Sequence, residues 1–394
     1  MTMSRGWRGA EWSPHRSASS STGGTALAAR HALVGVTRPS PVPAGWSAPA
    51  RPTSRFGAAD GVVIWVGARP QRRCLPPKLR HQRWLLEFYE PAAYYPELAD
   101  PTFLRLFELE MSWRLSSSIV VSLALSRLVL GGPFRPAQWL NMAEPRATGM
   151  LPKVSAIAWA AGHCDAPSGR ASLVLALRAA LGSSLPIHAM GACMHDFEQD
   201  PMQPRGAEGE RNPKYGRELY WRKVRAYSRH RFCLVAENAV EADYVTEALF
   251  HAFAAGCLPI YYGAPNVALV LPTPTAIVNV EDFDTVAQLS AHLLALAANE
   301  DVLRRRLAWR GDASLVSDWW RRLRRLMDPL DLRSRRQQLC AVCERMHETA
   351  APSAPSPRRG LSRAGPAPTS PHSASVRDAA ASAAGRHVRW RGIL

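Results

Sequence analysis

No run of apolar residues in this 394-residue chain reaches the ~18 to 20 that span a bilayer. The best candidate, Ser116 to Gly131, is interrupted by Arg127 and reads as core. A secretory leader is equally absent from view, because Arg5, Arg8, Arg16 and Arg30 break every apolar patch near the start. An Arg- and Ser-rich, acid-poor opening also has the composition of an organelle transit peptide. Residues 1–58 therefore read as a disordered or targeting region.

Acidic residues are scarce, with 32 Asp and Glu against 49 Lys and Arg, a net charge of +17. Of that, +6 belongs to residues 1–58 and +6 to residues 350–394, which leaves +5 for the middle. A nucleic-acid partner requires basic residues gathered on one folded face. The one candidate is Arg321, Arg322, Arg324, Arg325, Arg333, Arg335 and Arg336, which reads as a solvated helix face. A phosphate-rich ligand or anionic surface suits it too, and no nucleic acid is expected. Cysteine is also sparse: seven residues, odd in number and scattered, make no disulfide-dense scaffold. Cys340 and Cys343 form a CxxC that alone fits half a zinc site, a redox pair or a local disulfide. No second CxxC or HxxxH follows, which argues against zinc. His188 and His195 lack a third ligand at metal spacing and read as loop histidines.

What the chain does have is alternating strand and helix patterns. Ser-, Pro- and Gly-rich stretches fill 17–58 and 350–376. Between them, Gly61–Val66, Gln82–Phe88, Ile119–Ala124 and Lys153–Trp159 read as buried strands. Ser172–Leu181 has helical spacing, and Pro186–Met190 closes a strand–helix–strand unit. A second unit runs from the strand Phe232–Ala236 through a helix from Tyr244 to Gly256 into the strand Leu258–Tyr262. Ala276–Val280 and Val286–Ala297 add one more strand and helix. This order predicts an α/β sheet wound on both faces, with ligands in the crevice beyond the carboxyl ends of the strands. Gly162–Arg170, Glu237–Glu247 and Gly263–Asn266 then share one mouth. Asp243 or Thr246 can cap the second helix, whose positive end suits a diphosphate. Tyr244 and Glu247 lie beside it, where ribose hydroxyls need acceptors.

The segment Ala236-Glu-Asn-Ala, followed by Asp243-Tyr-Val-Thr-Glu-Ala248 and Gly263-Ala-Pro-Asn266, resembles the motif of the alpha-1,3-fucosyltransferases, roughly FENS…DYVTEK…GAPN. Ala158 to Arg170 is similar to the family's SNC-x5-R, and Met190-Gly-Ala-Cys193 to its YGxC turn. Phe88-Tyr-Glu-Pro-Ala-Ala-Tyr-Tyr-Pro-Glu97 and Arg114 to Val121 resemble segments of the plant-type, core-glycan branch. The resemblance covers roughly residues 82–345 and implies a GT-B fold of two Rossmann-like lobes with parallel sheets and disordered tails. The implied divisions are a targeting region 1–58, an acceptor lobe 59–149, a donor lobe 150–347 and a basic tail 348–394.

The implied chemistry is inverting transfer of fucose from GDP-fucose to an N-acetylglucosamine-containing glycan or glycoprotein. Glu90 maps to the catalytic base, and Arg170, Glu237, Asn238, Tyr244, Thr246 and Glu247 to the donor site. No metal or other cofactor is required by this scheme, which leaves room for stimulation by Mn2+. The DxD of Asp282 to Asp284 reads as a structural turn, and the Cys340–Cys343 pair as a local disulfide in an oxidising lumen. Golgi localisation and membrane association follow by analogy with anchored family members. The sequence also departs from the pattern: Ala248 stands where the family has a phosphate-binding Lys, and Gly162-His163 where it has Ser-Asn. His163, when protonated, offers a compensating charge. The alternative is a catalytically impaired, GDP-sugar-binding homologue.

Overall fold

The computed structural model describes residues 33–36, 59–66, 75, 77–122, 153–197, 223–326 and 342–346. These lie within one compact unit that runs from Ala32 to Leu394. The first sheet is wholly parallel and follows sequence order: β1 (Leu33–Val36), β2 (Gly61–Trp65), β3 (Arg83–Glu87), β4 (Leu109–Ser112) and β5 (Ile119–Val120). The second is also wholly parallel and runs β10-β9-β8-β6-β7. Its strands are β6 (Val154–Trp159), β7 (Ile187–Ala189), β8 (His230–Ala236), β9 (Leu258–Tyr262) and β10 (Val278–Asn279). The α/β class with two parallel-sheet lobes, expected from the sequence, is what the chain adopts.

Parallel strands are covered on both faces and therefore read as continuous apolar runs. β8 shows why. Cys233 and Val235 enter one core, while Phe232, Leu234 and Ala236 enter the other. The first core is aromatic. Phe250 and Phe253 of α3 (Glu247–Ala255) pack against Trp309 and against Trp319 of α6 (Ala313–Leu326). The opposite face is covered by α2 (Arg170–Leu181) through Leu173, Val174 and Leu177, and by α4 (Val286–Ala298) through Leu289 and Leu293. A short α5 (Glu300–Leu307) continues from α4. Among the described residues before β4, the first lobe has a 3-10 turn, Pro96–Ala99, and a single α-helical turn, α1 (Pro101–Leu104).

β6 sits between β7 and β8, so the loops leaving β6 and β8 diverge from neighbouring strands. That divergence opens a crevice at the carboxyl ends of the strands. Arg170 terminates one of these loops and Glu237 begins the other.

Several details differ from the sequence reading. The strand Leu33–Val36 lies inside the segment read as a disordered or targeting region; its apolar residues pair with β2. Val342 and Met346 pack into the core of the first sheet with Leu85 and Met111, and Arg345 donates to the Ser118 carbonyl at 2.6 Å. The chain thus returns to the first lobe, whereas the 150–347 boundary gives these residues to the second. Ala276–Val280 is strand only at Val278–Asn279, because Ala276 closes the 3-10 turn Pro274–Ala276 and Val280 opens the next, Val280–Asp282. The solvated-face reading of the arginines fits α6, where Arg321, Arg324 and Arg325 are exposed. The remainder of both tails, Arg333, Arg335, Arg336 and Cys340 lie outside the described residues. Among those described, no helix is long and apolar enough to cross a membrane.

Candidate active site

Arg170 is the first residue of α2, behind the left-handed Gly169, which provides no side-chain cap. Its guanidinium is buried and donates to the His163 carbonyl at 2.7 Å, to Asn238 Oδ1 at 2.6 Å and to the Ala236 carbonyl at 3.4 Å. Its Nε is buried without a partner. Asn238 thus serves first to orient Arg170, and its backbone oxygen accepts from Ser168 N at 2.9 Å. Ser168 Oγ donates to the Glu237 carbonyl at 2.7 Å, and Tyr262 Oη donates to the Ser168 carbonyl at 3.1 Å. The Arg170 loop is therefore fastened to the exits of β8 and β9.

A disulfide between Cys164 and Cys193 fastens the same loop to the turn after β7. Cys193 N also donates to the Ala161 carbonyl at 3.0 Å. A Cβ on Gly191 would sit 2.2 Å from that carbonyl oxygen, so only glycine fits there. A second disulfide, Cys233–Cys257, ties β8 to the turn between α3 and β9. Sequence reasoning paired neither. The partners are 29 and 24 residues apart and meet because β6 and β7, and β8 and β9, are parallel neighbours.

The motif around 236–266 is explained by one network. Glu237 is buried, and its carboxylate accepts from Thr246 N at 2.9 Å and from Thr246 Oγ1 at 2.7 Å. Thr246, rather than Asp243, caps α3 by accepting from Ala248 N at 3.3 Å. Asp243 instead adopts a left-handed backbone, φ 69°. Asn266 reads it twice, accepting from Asp243 N at 2.8 Å and donating to Asp243 Oδ1 at 2.7 Å. Gly263 lets Glu237 pass beneath, since a Cβ there would lie 2.5 Å from Glu237 Cγ. Glu237 and Thr246 are thus supports of the helix start, and their side chains are already engaged.

Burial raises the Glu237 carboxyl to about 7, against the opposing hydrogen bonds from Thr246. A folded-state value above the unfolded one means the native protein holds the extra proton. Stability therefore falls as pH rises from the ordinary value of 4.5 through about 7, and stays low above it. The loss is on the order of 3 kcal/mol. Glu237→Gln keeps an acceptor for Thr246 N and, through its amide nitrogen, reverses the bond with Thr246 Oγ1 from accepted to donated, without the charge. We expect its stability relative to wild type to increase between pH 5 and pH 8 in urea unfolding; a pH-independent difference would contradict the assignment.

The first lobe meets this platform directly. Tyr244 is buried beside Trp113 at 5.1 Å between ring centroids, and burial pushes its phenol far up. Glu241 accepts from Ala92 N at 2.9 Å and pairs with Arg114 at 3.3 Å, and Leu115 N donates to Asp243 Oδ2 at 3.0 Å. These contacts bring Glu90, three residues beyond β3, to the cleft. Its Oε2 is buried and has no partner. Desolvation, then the charge of Glu247 at the start of α3, raises its carboxyl above the usual range.

Sequence reasoning did not single out two residues that bear on this cleft, Tyr94 and Lys223. Tyr94 Oη lies 3.1 Å from His163 Nε2. Desolvation and the nearby Arg170 charge lower the His163 ring below its ordinary value, so it is neutral at pH 7 and supplies no compensating charge. A cation does come from Lys223 in the helical segment 223–227, whose field acts on Glu237 and whose ammonium lies 5.4 Å from the Tyr227 ring centroid. No motif marks Lys223, because its segment carries no distinctive pattern. Asp282 of the DxD accepts from Asn279 at 3.3 Å and Asp284 N donates to Gln288, as turn residues do.

A model of the glycosyltransferase family 10 (fucosyltransferase) C-terminal domain matches residues 150–356, just over half of the chain. The chain is 28% identical over 158 residues to GDP-fucose protein O-fucosyltransferase 3 of Xenopus laevis, covering 40% of this chain and 31% of that one. It is 26% identical over 251 residues to the Gallus gallus protein of the same name, covering 60% and 47%. To alpha-(1,3)-fucosyltransferase B of Drosophila melanogaster it is 26% identical over 241 residues, covering 60% and 51%. The chain thus spans between about a third and a half of the length of these relatives. A crystal structure of alpha1,3-fucosyltransferase with GDP-fucose superposes with a TM-score of 0.41 at 18% identity, over 63% of this chain and 69% of that one. By the extent of the domain match, the chain belongs to glycosyltransferase family 10, the fucosyltransferases.

Proposed function

We propose that the chain transfers fucose from GDP-fucose to an acceptor hydroxyl with inversion at the anomeric carbon. The observation that carries this is a pair of orphaned buried groups, Glu90 Oε2 in the first lobe and Arg170 Nε in the second. One accepts a proton and the other donates a hydrogen bond. Glu90 takes the proton of the acceptor hydroxyl as it attacks C1 of fucose. GDP departs on the opposite side, and Arg170, with the uncapped start of α2, meets the charge on its diphosphate. Tyr244 and Glu247 line the nucleotide side of the cleft. No step in this scheme is assigned to a metal.

The acceptor has two readings. The first is an N-acetylglucosamine-containing glycan, after the alpha-1,3 relatives. The relatives named protein O-fucosyltransferase 3 favour a second, a hydroxyl on a polypeptide. The two disulfides support work in an oxidising secretory compartment such as the Golgi. The test incubates the full chain with GDP-fucose and both acceptor classes, following GDP release and product mass. Fucose-bearing product with an inverted linkage is expected. Donor binding without product in either class would support the impaired-homologue reading, and failure to bind GDP-fucose would remove both.

A further inference from the structure

The Glu90 carboxylate stands immediately before a turn, residues 91–95, that belongs to the first lobe but is fastened to the second at both ends. Ala92 N donates to Glu241 Oε2 at 2.9 Å, and Tyr94 Oη meets His163 Nε2 at 3.1 Å. Within the turn, Tyr94 N and Tyr95 N both bond to the Pro91 carbonyl, at 3.0 and 3.3 Å, so Glu90, Pro91 and Tyr94 move together. On the far side, His163 is held in turn. Its carbonyl accepts from Arg170 at 2.7 Å, and the adjacent Cys164 is disulfide-bonded. A neutral imidazole with Nε2 as acceptor receives a hydrogen bond from the phenol, which keeps its proton. The phenol lies within electrostatic reach of both Arg170 and Glu90.

We propose that Tyr94 is a positioning residue for the transfer: its hydrogen bond to His163, paired with that of Ala92 to Glu241, sets the Glu90 carboxylate against the donor loop. This rests on the reading of Glu90 and Arg170 given above. The logic is geometric. Glu90 lies on one lobe and the proposed diphosphate site on the other, so their separation is set by the contacts that cross the cleft, bonds as well as the packing of Trp113 on Tyr244. A displacement of about 1 Å in such a carboxylate costs up to about a hundredfold in rate. Tyr94 and His163 are the side chains that bridge on the Arg170 side; Glu241 bridges on the Arg114 side.

The experiment compares Tyr94→Phe, His163→Ala and the double variant of the full chain. Neither single change removes the backbone carbonyl that holds Arg170. Each is expected to lower kcat by about five- to tenfold while KM for GDP-fucose and GDP affinity stay within about twofold. The double variant should lose no more than the worse single, because the two side chains make one bond. Hydrogen exchange, which needs no turnover, should show faster exchange across residues 88–95 in all three variants, with β8 unchanged. Wild-type kcat in Tyr94→Phe, losses that multiply in the double variant, or unchanged exchange across 88–95 would each overturn the inference. Loss of wild-type turnover itself would instead count against the proposed function, and the exchange measurement would still judge Tyr94.

Discussion

Glu90→Gln lowers the rate of fucose transfer by about a thousandfold or more, and GDP still binds. The amide is isosteric but cannot accept the acceptor's proton. The carboxylate it replaces has a buried, unpartnered oxygen, so no structural hydrogen bond to that atom is lost. Folding stability should therefore hold or rise, which separates a chemical defect from an unfolded protein. The pH dependence supplies a second signature. Burial and the charge of Glu247 raise the Glu90 carboxyl above the ordinary range. A base works when ionised, so wild-type kcat/KM should climb with pH through that raised value and then level. The acid limb should vanish from whatever activity Glu90→Gln retains. Rates of GDP release between pH 4 and pH 9 check both points. Retention of more than about a tenth of the wild-type rate would remove the role.

Arg170→Ala acts on the other side of the cleft, and its effect is twofold. Three acceptors lose their donor: the carbonyls of His163 and Ala236 and the side chain of Asn238. Losing hydrogen bonds from a charged donor costs about 1.5–3 kcal/mol, and the loop 162–169 loosens although its disulfide persists. The diphosphate also loses a charged, planar donor, for which we expect GDP affinity to fall about a hundredfold. Arg170→Lys divides the two effects. It keeps a positive charge at the start of α2 but reaches only one acceptor at a time, so affinity should fall by about tenfold with most of the destabilisation retained. Calorimetry and urea unfolding on both variants separate binding from fold. Equal GDP affinity in wild type and Arg170→Ala, with both folded, would show that the diphosphate sits elsewhere.

Much of the donor side was legible in the sequence because each motif residue has a local task. Asp243 adopts the left-handed backbone that Asn266 recognises, and Gly263 admits Glu237. Such tasks impose residue types at fixed spacings. The strand pattern around β8 and β9 was equally plain, since a strand buried on both faces must be apolar throughout. Roles were less legible than positions. Glu237, Asn238 and Thr246 stand at the cleft, yet their side chains are spent on Arg170 and the helix start. What pattern cannot show is proximity created by topology. Cys233 meets Cys257, and Tyr94 meets His163, through sheet neighbours and a lobe interface that no spacing encodes. Lys223 escaped for the same reason. The strand Leu33–Val36 was missed because four apolar residues between arginines carry too short a period to stand out from a polar segment.

The central claim is that one cleft joins a base on the first lobe to a nucleotide diphosphate on the second. Its most direct measurement is a calorimetric titration of the folded chain with GDP beside inorganic pyrophosphate, repeated on Arg170→Ala. Contacts to the guanosine should make GDP at least about tenfold tighter than pyrophosphate, and loss of Arg170 should weaken both. Indifference between the two ligands, or binding that survives in Arg170→Ala, would contradict the account.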